Sequence, residues 1–301
     1  MSLKTVKSKD GKTIISYRQI GKGPGLIIVH GGLGTSKTQM ELAEALSDSF
    51  TIYLMDRRGR GRSSPINSSS DDEDALETEL NDLQILSKET NAPFAFGVST
   101  GSLIILQSAL TYPHQFRKIA LFEAPVARND DRFQRLTERF RAELKDDIAS
   151  AALTSMEIMQ MGPWLVRVMP RWFSRPLVSW AISQSDTQGM IQDGEDTEEP
   201  EEERATMRKL IPTLQHDFNV VKQMDGVLER CNKLTEPDVL LLSGTASQPY
   251  LIEACDKLEK AISKAKRVRI EGVDHMACAN KSGGGQPEKI AERLKKFFGG
   301  Q

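Results

Sequence analysis

Short, unbroken apolar runs alternate with helical stretches through the first 127 residues, and this alternation constrains the fold most strongly. The runs lie at residues 26–30, 51–55, 94–98 and 118–122, with helical patterns predicted at 40–46, about 75–87 and directly after residue 98. Strands that are covered on both faces have this continuous apolar character. The pattern therefore predicts an α/β fold, with a mostly parallel twisted sheet and helices on both faces.

Further strands are predicted on either side of this region. Residues 13–18 are more polar and are expected to form an antiparallel edge hairpin that turns at Asp10-Gly11. Strand character returns at residues 239–242 and 267–270, before a final helix over 287–298.

The middle of the chain interrupts the sheet. Residues 128–229 show helical periodicity, prolines and charge but no convincing strand, so we predict a helical cap over 128–229. The α/β core would then comprise residues 1–127 and 230–301. Because ligands of open α/β sheets bind at the carboxyl ends of the strands, the cap would cover the ligand site. Residues 63–74 and the acidic run 193–203 are interpreted as solvated loops.

Composition excludes several classes of protein. The 301 residues carry 40 Lys and Arg against 42 Asp and Glu, a balance that argues against a nucleic-acid partner. Neither a signal-peptide pattern nor an apolar run of about 18 residues is present, so we expect a cytoplasmic protein without a membrane partner. Three widely spaced cysteines match no zinc pattern or disulfide framework, which favours reduced thiols.

The strongest local motif is the sequence GVSTG at residues 97–101, between a predicted strand and a predicted helix. In a nucleophile elbow of this GxSxG type, the serine occupies a sharp turn and the glycines let neighbouring elements approach. The serine then lies at the amino end of a helix, which favours a developing negative charge. We predict that Ser99 is a nucleophile.

A second glycine-rich motif, HGGLG at residues 30–34, follows the first buried strand. An oxyanion hole needs two backbone donors, and we assign them to the N–H groups of Gly32 and Thr100. The overlapping sequence GGLGTSKT resembles a phosphate-binding loop, but Ser36 stands where that pattern requires glycine. The basic run at 57–62 is interpreted as a turn after a strand.

Among four histidines, His275 is the predicted general base. It follows a short strand near the end of the chain, and a histidine in last place suits this order of elements. His30, His114 and His216 are interpreted as structural or surface residues.

Together, the glycine loop, the segment DRRGRGRS at 56–63, the GxSxG motif and the late histidine resemble the α/β-hydrolase superfamily. The resemblance covers about residues 10–127 and 235–298. It implies a helical cap inserted after the sixth strand, and a catalytic acid in a G-x-x-D pattern after the next strand. That stretch reads Gly244-Thr245-Ala246-Ser247 here, so the expected carboxylate is missing.

Two other carboxylates are candidates for this acid, since a hydroxyl cannot stabilise an imidazolium in the same way. Asp274 adjoins His275, although neighbouring side chains in a short loop seldom reach each other. Glu123 ends a central strand, where some haloalkane dehalogenases and zearalenone-type lactonases place their acid. We predict Glu123 and keep Asp274 as the alternative. Ser99 excludes the branches of the superfamily with an aspartate nucleophile.

The predicted cap contains all three tryptophans and several methionines. Such side chains suit adaptable apolar pockets, so Trp172 and Trp180 are predicted to bind a bulky, mostly apolar small molecule. The predicted protein is a cofactor-free, metal-free serine hydrolase of esters or lactones, monomeric or homodimeric. Hydrolysis of C–C bonds, cyclase or lyase chemistry, and ligand binding with little turnover remain alternatives.

Overall fold

A computed structural model describes residues 1–9, 11–66, 74–126, 130–162, 164–188 and 205–300. Its eight-stranded sheet has the spatial order β1-β2-β4-β3-β5-β6-β7-β8. The strands are β1 (Ser2–Lys7), β2 (Ile14–Ile20), β3 (Gly25–Val29), β4 (Thr51–Met55), β5 (Phe94–Val98), β6 (Lys118–Phe122), β7 (Asp238–Gly244) and β8 (Lys266–Ile270). Strand β2 is antiparallel to β1 and β4, and the other pairs are parallel.

The helices fall into three groups along the chain. Before β6 lie α1 (Met40–Leu46), α2 (Ala75–Thr90) and α3 (Thr100–Thr111). Between β6 and β7 lie α4 (Asp131–Asp146), α5 (Ile148–Met159), α6 (Trp164–Val168), α7 (Arg171–Gln188), α8 (Met207–Gln223) and α9 (Val227–Arg230). After β7 lie α10 (Pro249–Ala261) and α11 (Pro287–Phe298).

Alternate residues of each central strand enter two different apolar cores. In β3, Ile27 and Val29 join a core with α2, α3 and α10, whereas Leu26 and Ile28 join a core with α1 and α11. Since successive side chains of a strand point to opposite faces, both faces of this sheet are covered by helices. This arrangement confirms the predicted α/β architecture.

The helices between β6 and β7 pack on the first of these cores. Phe133 and Phe140 of α4 make edge-to-face contacts with Phe218 of α8, and all three side chains are buried. No strand occurs in the described part of residues 128–229. The division into a core and a cap with the stated limits remains a prediction.

Some predicted features lie outside the described residues. These are Asp10 of the predicted turn, residues 67–73 of the first charged loop, and the whole acidic run at 193–203. Among the described helices, none has the length and apolarity that crossing a bilayer requires.

The register of the parallel strands brings their carboxyl ends together. Val29 pairs with Gly97, Val98 with Phe122, and Phe122 with Leu242. His30, Ser99 and Glu123 directly follow three of these strands, so they lie at one edge of the sheet. Ligands of open α/β sheets bind at this edge.

Candidate active site

Ser99 occupies a sharp turn between β5 and α3. Its backbone has φ +53° and ψ −120°, and its N–H donates to the carbonyl of Phe122 at 2.9 Å. A Cβ on Gly97 would lie 2.6 Å from backbone atoms of Gly101, and one on Gly101 would lie 2.2 Å from the carbonyl oxygen of Val29. Only glycine fits at these two positions, which is the reason the motif requires it.

Glu123 and His275 form a hydrogen-bonded pair. Nδ1 of His275 lies 2.6 Å from Oε2 of Glu123, whose side chain is fully buried. Oε1 accepts from the backbone N–H of Gly244 at 2.8 Å and from the hydroxyl of Ser247. Both carboxylate oxygens are therefore engaged, and the carboxylate fixes the orientation of the imidazole ring.

The alternative acid, Asp274, has a different contact. Its Oδ1 accepts from the backbone N–H of Met276 at 2.9 Å, which caps the short 3₁₀ helix His275–Cys278. The structure thus brings Glu123, and not Asp274, to the ring of His275. Ser247 stands where the superfamily pattern has its acid, and here its hydroxyl donates to Glu123 instead.

The glycine loop lies against the turn that holds Ser99. A Cβ on Gly31 would approach the Cβ of Ser99 to 2.9 Å, and Leu33 adopts φ +56°. Gly32 and Thr100, the predicted oxyanion donors, both line the same cavity as Ser99. Thr100 is the first residue of α3, so its N–H has no acceptor within the helix.

His30 fixes the start of this loop. Its Nε2 accepts from the backbone N–H of Arg57 at 3.2 Å, so the proton lies on Nδ1, which donates to the carbonyl of Gly31 at 2.8 Å. Burial, with Arg60 and Arg57 nearby, lowers the pKa of His30 to about 3. His30 is therefore neutral and structural, as the sequence suggested.

A cavity of about 410 Å³ joins these residues. Ser99 and His275 both line it, together with Met156, Met159, Met161, Met207, Met276, Phe133 and Phe218. No lysine or arginine belongs to the described residues of its wall, and Asp217 is the single carboxylate there. Within the described ranges, the Ser99 hydroxyl makes no hydrogen bond, and catalytic contacts of this kind often tighten only when substrate binds.

Trp172 and Trp180 lie elsewhere. They share one face of α7, as their spacing suggested, but the side that packs inward carries Ser174, Val178 and Ile182. The tryptophans are 77% and 65% exposed and do not line the cavity. The geometry therefore gives no support to the predicted substrate contact of these two residues. The sequence could not show their orientation, because the apolar periodicity of a helix does not reveal which face packs inward.

A buried cluster of charges escaped the sequence analysis. Arg57, interpreted as part of a turn after a strand, is fully buried between Glu79 of α2 and Asp217 of α8, at 2.6 Å from each. Arg60 also binds Asp217. One signal was available, since Asp217 falls among the apolar positions of α8, at helical spacing from Leu214.

No group of three His, Cys, Asp or Glu side chains in the described parts of the chain could hold a metal ion. The three cysteines, Cys231, Cys255 and Cys278, are free and buried. Burial raises the pKa of Cys231 and of Cys255 to about 11.

Comparison with known proteins defines the class. A family model described as the alpha/beta hydrolase fold matches residues 24–282, and the chain belongs to this family. The chain is also similar to a crystal structure of an alpha/beta hydrolase from Sphaerobacter thermophilus, with 26% identity and a TM-score of 0.70. That match covers 98% of this chain and 100% of the other, which confirms the predicted fold over nearly the whole chain.

Two relatives with named activities match part of the chain. A pyrrolizixenacetamide deacetylase from Xenorhabdus hominickii is 34% identical over 149 residues, which are 48% of this chain and 54% of that protein. A pimeloyl-[acyl-carrier protein] methyl ester esterase from Shewanella woodyi is 28% identical over 156 residues, 49% of this chain and 57% of the other. The chain thus spans just over half the length of these relatives.

Proposed function

We propose that this protein is a serine hydrolase that cleaves carboxylic esters or lactones through Ser99, His275 and Glu123. The observation that carries the proposal is the hydrogen bond of 2.6 Å between Glu123 and His275, in a cavity that Ser99 also lines. A histidine oriented by a buried carboxylate is the general base that a weak serine nucleophile needs.

The reaction follows from these positions. Nε2 of His275 takes the proton of the Ser99 hydroxyl as its oxygen attacks the ester carbonyl carbon. The N–H groups of Gly32 and Thr100 donate to the resulting oxyanion. Collapse of the tetrahedral intermediate breaks the C–O bond, and His275 gives its proton to the departing alcohol oxygen. A water molecule then hydrolyses the acyl-enzyme by the same steps, releasing the carboxylic acid and restoring Ser99.

Glu123 acts through His275. Its carboxylate keeps the Nδ1 proton in place and stabilises the imidazolium while Nε2 is protonated. Gly244 N–H and the Ser247 hydroxyl hold the other oxygen of Glu123, so the carboxylate cannot rotate away from the ring.

The cavity wall supports an uncharged, mostly apolar substrate. The cavity volume of about 410 Å³ and the methionines of the wall suit a bulky acyl or alcohol group of variable shape. A carboxylate or phosphate on the substrate would meet no lysine or arginine among the described residues of the wall, and would lie near Asp217. The esterase and deacetylase named among the relatives also act on acyl groups.

The test is hydrolysis of 4-nitrophenyl esters of increasing acyl length, with a panel of lactones. We expect kcat/KM to rise from the acetate to the octanoate ester. Ser99→Ala should lower the activity by at least about 1,000-fold. Ser108→Ala is the matched control, because Ser108 lies on α3, the helix that follows Ser99, is buried, and bonds to Gln115 away from the cavity. Activity confined to small polar esters, or equal loss in both variants, would contradict the proposal.

Amide cleavage is the second candidate, favoured by the 34% identity to a protein named as a deacetylase. It uses the same acyl-enzyme, with His275 protonating an amine instead of an alcohol. Comparing an acetamide with the acetate ester of matched shape separates the two.

A further inference from the structure

Asp217 of α8 lies beside the glycine loop, and both line the same cavity. A Cβ built on Gly32 would lie 3.6 Å from Oδ2 of Asp217 and 2.9 Å from a methyl group of Leu214, so α8 packs on this glycine. The Asp217 side chain is only 3% exposed. We infer that Asp217 is a positioning residue, which holds the Gly32 N–H in the orientation that stabilises the oxyanion. This inference rests on the proposed function.

A continuous set of buried hydrogen bonds links Asp217 to the loop. Oδ1 of Asp217 accepts from Nη1 of Arg57 at 2.6 Å. The backbone N–H of Arg57 donates to His30, and the His30 ring donates to Gly31, the residue before Gly32. A shift of the carboxylate therefore moves Arg57, and with it the loop. A misplacement of about 1 Å in a catalytic donor can cost about 100-fold in rate.

Two arginines compensate the negative charge of Asp217 beside the predicted oxyanion hole. An isolated negative charge beside an oxyanion hole would oppose the developing oxyanion. Here the arginines Arg57 and Arg60 face two carboxylates, those of Asp217 and Glu79, and Glu79 also faces His216 at 3.2 Å, so the cluster carries no net negative charge. Arg57 and Arg60 together hold the pKa of Asp217 below its ordinary value although burial alone would raise it.

The chain offers a matched control in the pair Arg58–Asp82. This pair joins the same turn to α2, with Nη2 to Oδ1 at 2.6 Å and Nε to Oδ2 at 3.0 Å. The Asp82 side chain is fully buried and that of Arg58 is 9% exposed. Neither residue lines the cavity or packs on Gly32. Removal of either carboxylate leaves a buried arginine short of a partner and destabilises the protein.

The experiment compares Asp217→Asn with Asp82→Asn. We measure the melting temperature, kcat and KM on an ester that wild type hydrolyses, and the affinity for its trifluoromethyl ketone analogue. The ketone forms a tetrahedral adduct with serine whose oxyanion occupies the hole. We expect both variants to lose stability, but only Asp217→Asn to lose about 100-fold in kcat and in ketone affinity, with KM nearly unchanged.

A conservative variant covers the case in which Asp217→Asn fails to fold. Asp217→Glu keeps the charge but displaces the carboxylate by one methylene, so we expect a loss of at least about tenfold in kcat and a smaller fall in melting temperature than in Asp217→Asn. Wild-type kcat and ketone affinity in the folded Asp217 variants would overturn the inference, as would an equal kcat loss in Asp82→Asn. Absence of Ser99-dependent hydrolysis in wild type would overturn the proposed function itself.

Discussion

At the scale of single residues, backbone strain is concentrated at the candidate site. Five non-glycine residues in the described ranges have positive φ, and three of them are Leu33, Ser99 and Glu123. The other two, Asn91 and Gln160, end helices α2 and α5. Positive φ costs about 1–3 kcal/mol at a non-glycine residue, and such strain persists where the surrounding structure enforces it. Here it places Leu33 and Ser99 in the wall of the cavity and Glu123 beside the ring of His275.

The acid assignment gives a prediction for two carboxylates. Glu123→Gln removes the charge that stabilises the imidazolium, so we expect kcat to fall by about 10³–10⁴-fold. Asp274→Asn keeps a good helix-capping side chain and should retain activity within about threefold. Steady-state kinetics on the same ester checks both. A nearly active Glu123→Gln beside an inactive Asp274→Asn would show that the acid is Asp274.

At the scale of secondary structure, sequence pattern predicted the elements that are covered on both faces. The runs at 51–55, 94–98 and 118–122 coincide with β4, β5 and β6, because continuous burial leaves a continuous apolar signal. Strand β1 was predicted only as the first arm of the edge hairpin, without limits, since its residues are mostly exposed and it pairs with β2 alone. The GxSxG motif predicted the Ser99 turn, because the turn depends on local sequence between a strand and a helix. Glu123 was predicted without a motif, from its place at a strand end and from the resemblance to enzymes that place their acid there.

The two faces of α7 give a prediction at the same scale. The double variant Trp172→Ser/Trp180→Ser should keep kcat/KM within about twofold, because both side chains lie outside the cavity. Met207→Ser, in the cavity wall, removes apolar contact and should raise KM about tenfold for a long acyl ester. The comparison uses one long-chain ester and one acetate. A rise in KM of about tenfold for the long-chain ester in the double tryptophan variant as well would show that the tryptophans bind the substrate.

At the scale of the whole molecule, the helices between β6 and β7 share a core with the sheet. Phe133, Phe140 and Phe218 belong to the same apolar cluster as Ile27 and Val29. Asp217 extends this contact with ion pairs to Arg57 and Arg60. The spacing of Asp217 indicates only that this residue is buried, and it could not reveal these contacts, since residues 57 and 217 are far apart in the chain.

The buried His30 gives stability a defined pH dependence. In the unfolded chain its pKa returns to about 6.5, whereas the folded pKa is about 3. Below pH 6.5 the unfolded state binds a proton at this histidine that the folded state does not bind. The contribution of neutral His30 to the free energy of unfolding is therefore fully present above pH 6.5 and is lost as the pH falls towards 3. Between pH 7 and pH 5 the loss is about 2 kcal/mol.

Chemical denaturation at the two pH values measures this effect. In His30→Asn the fall in unfolding free energy between pH 7 and pH 5 should be smaller than in wild type by about 2 kcal/mol. The comparison between the two proteins removes the contribution of other titrating groups. An identical pH dependence in both would show that His30 is charged in the folded protein or titrates normally.

The proposed function requires Ser99 to be an activated nucleophile beside a working oxyanion hole. Its most direct measurement is the intact mass of wild type and of Ser99→Ala after exposure to a fluorophosphonate, a reagent that phosphonylates activated serines. We expect a single adduct on wild type and none on Ser99→Ala. An adduct that persists in Ser99→Ala, or an unlabelled wild type under conditions that label a control serine hydrolase, would contradict it.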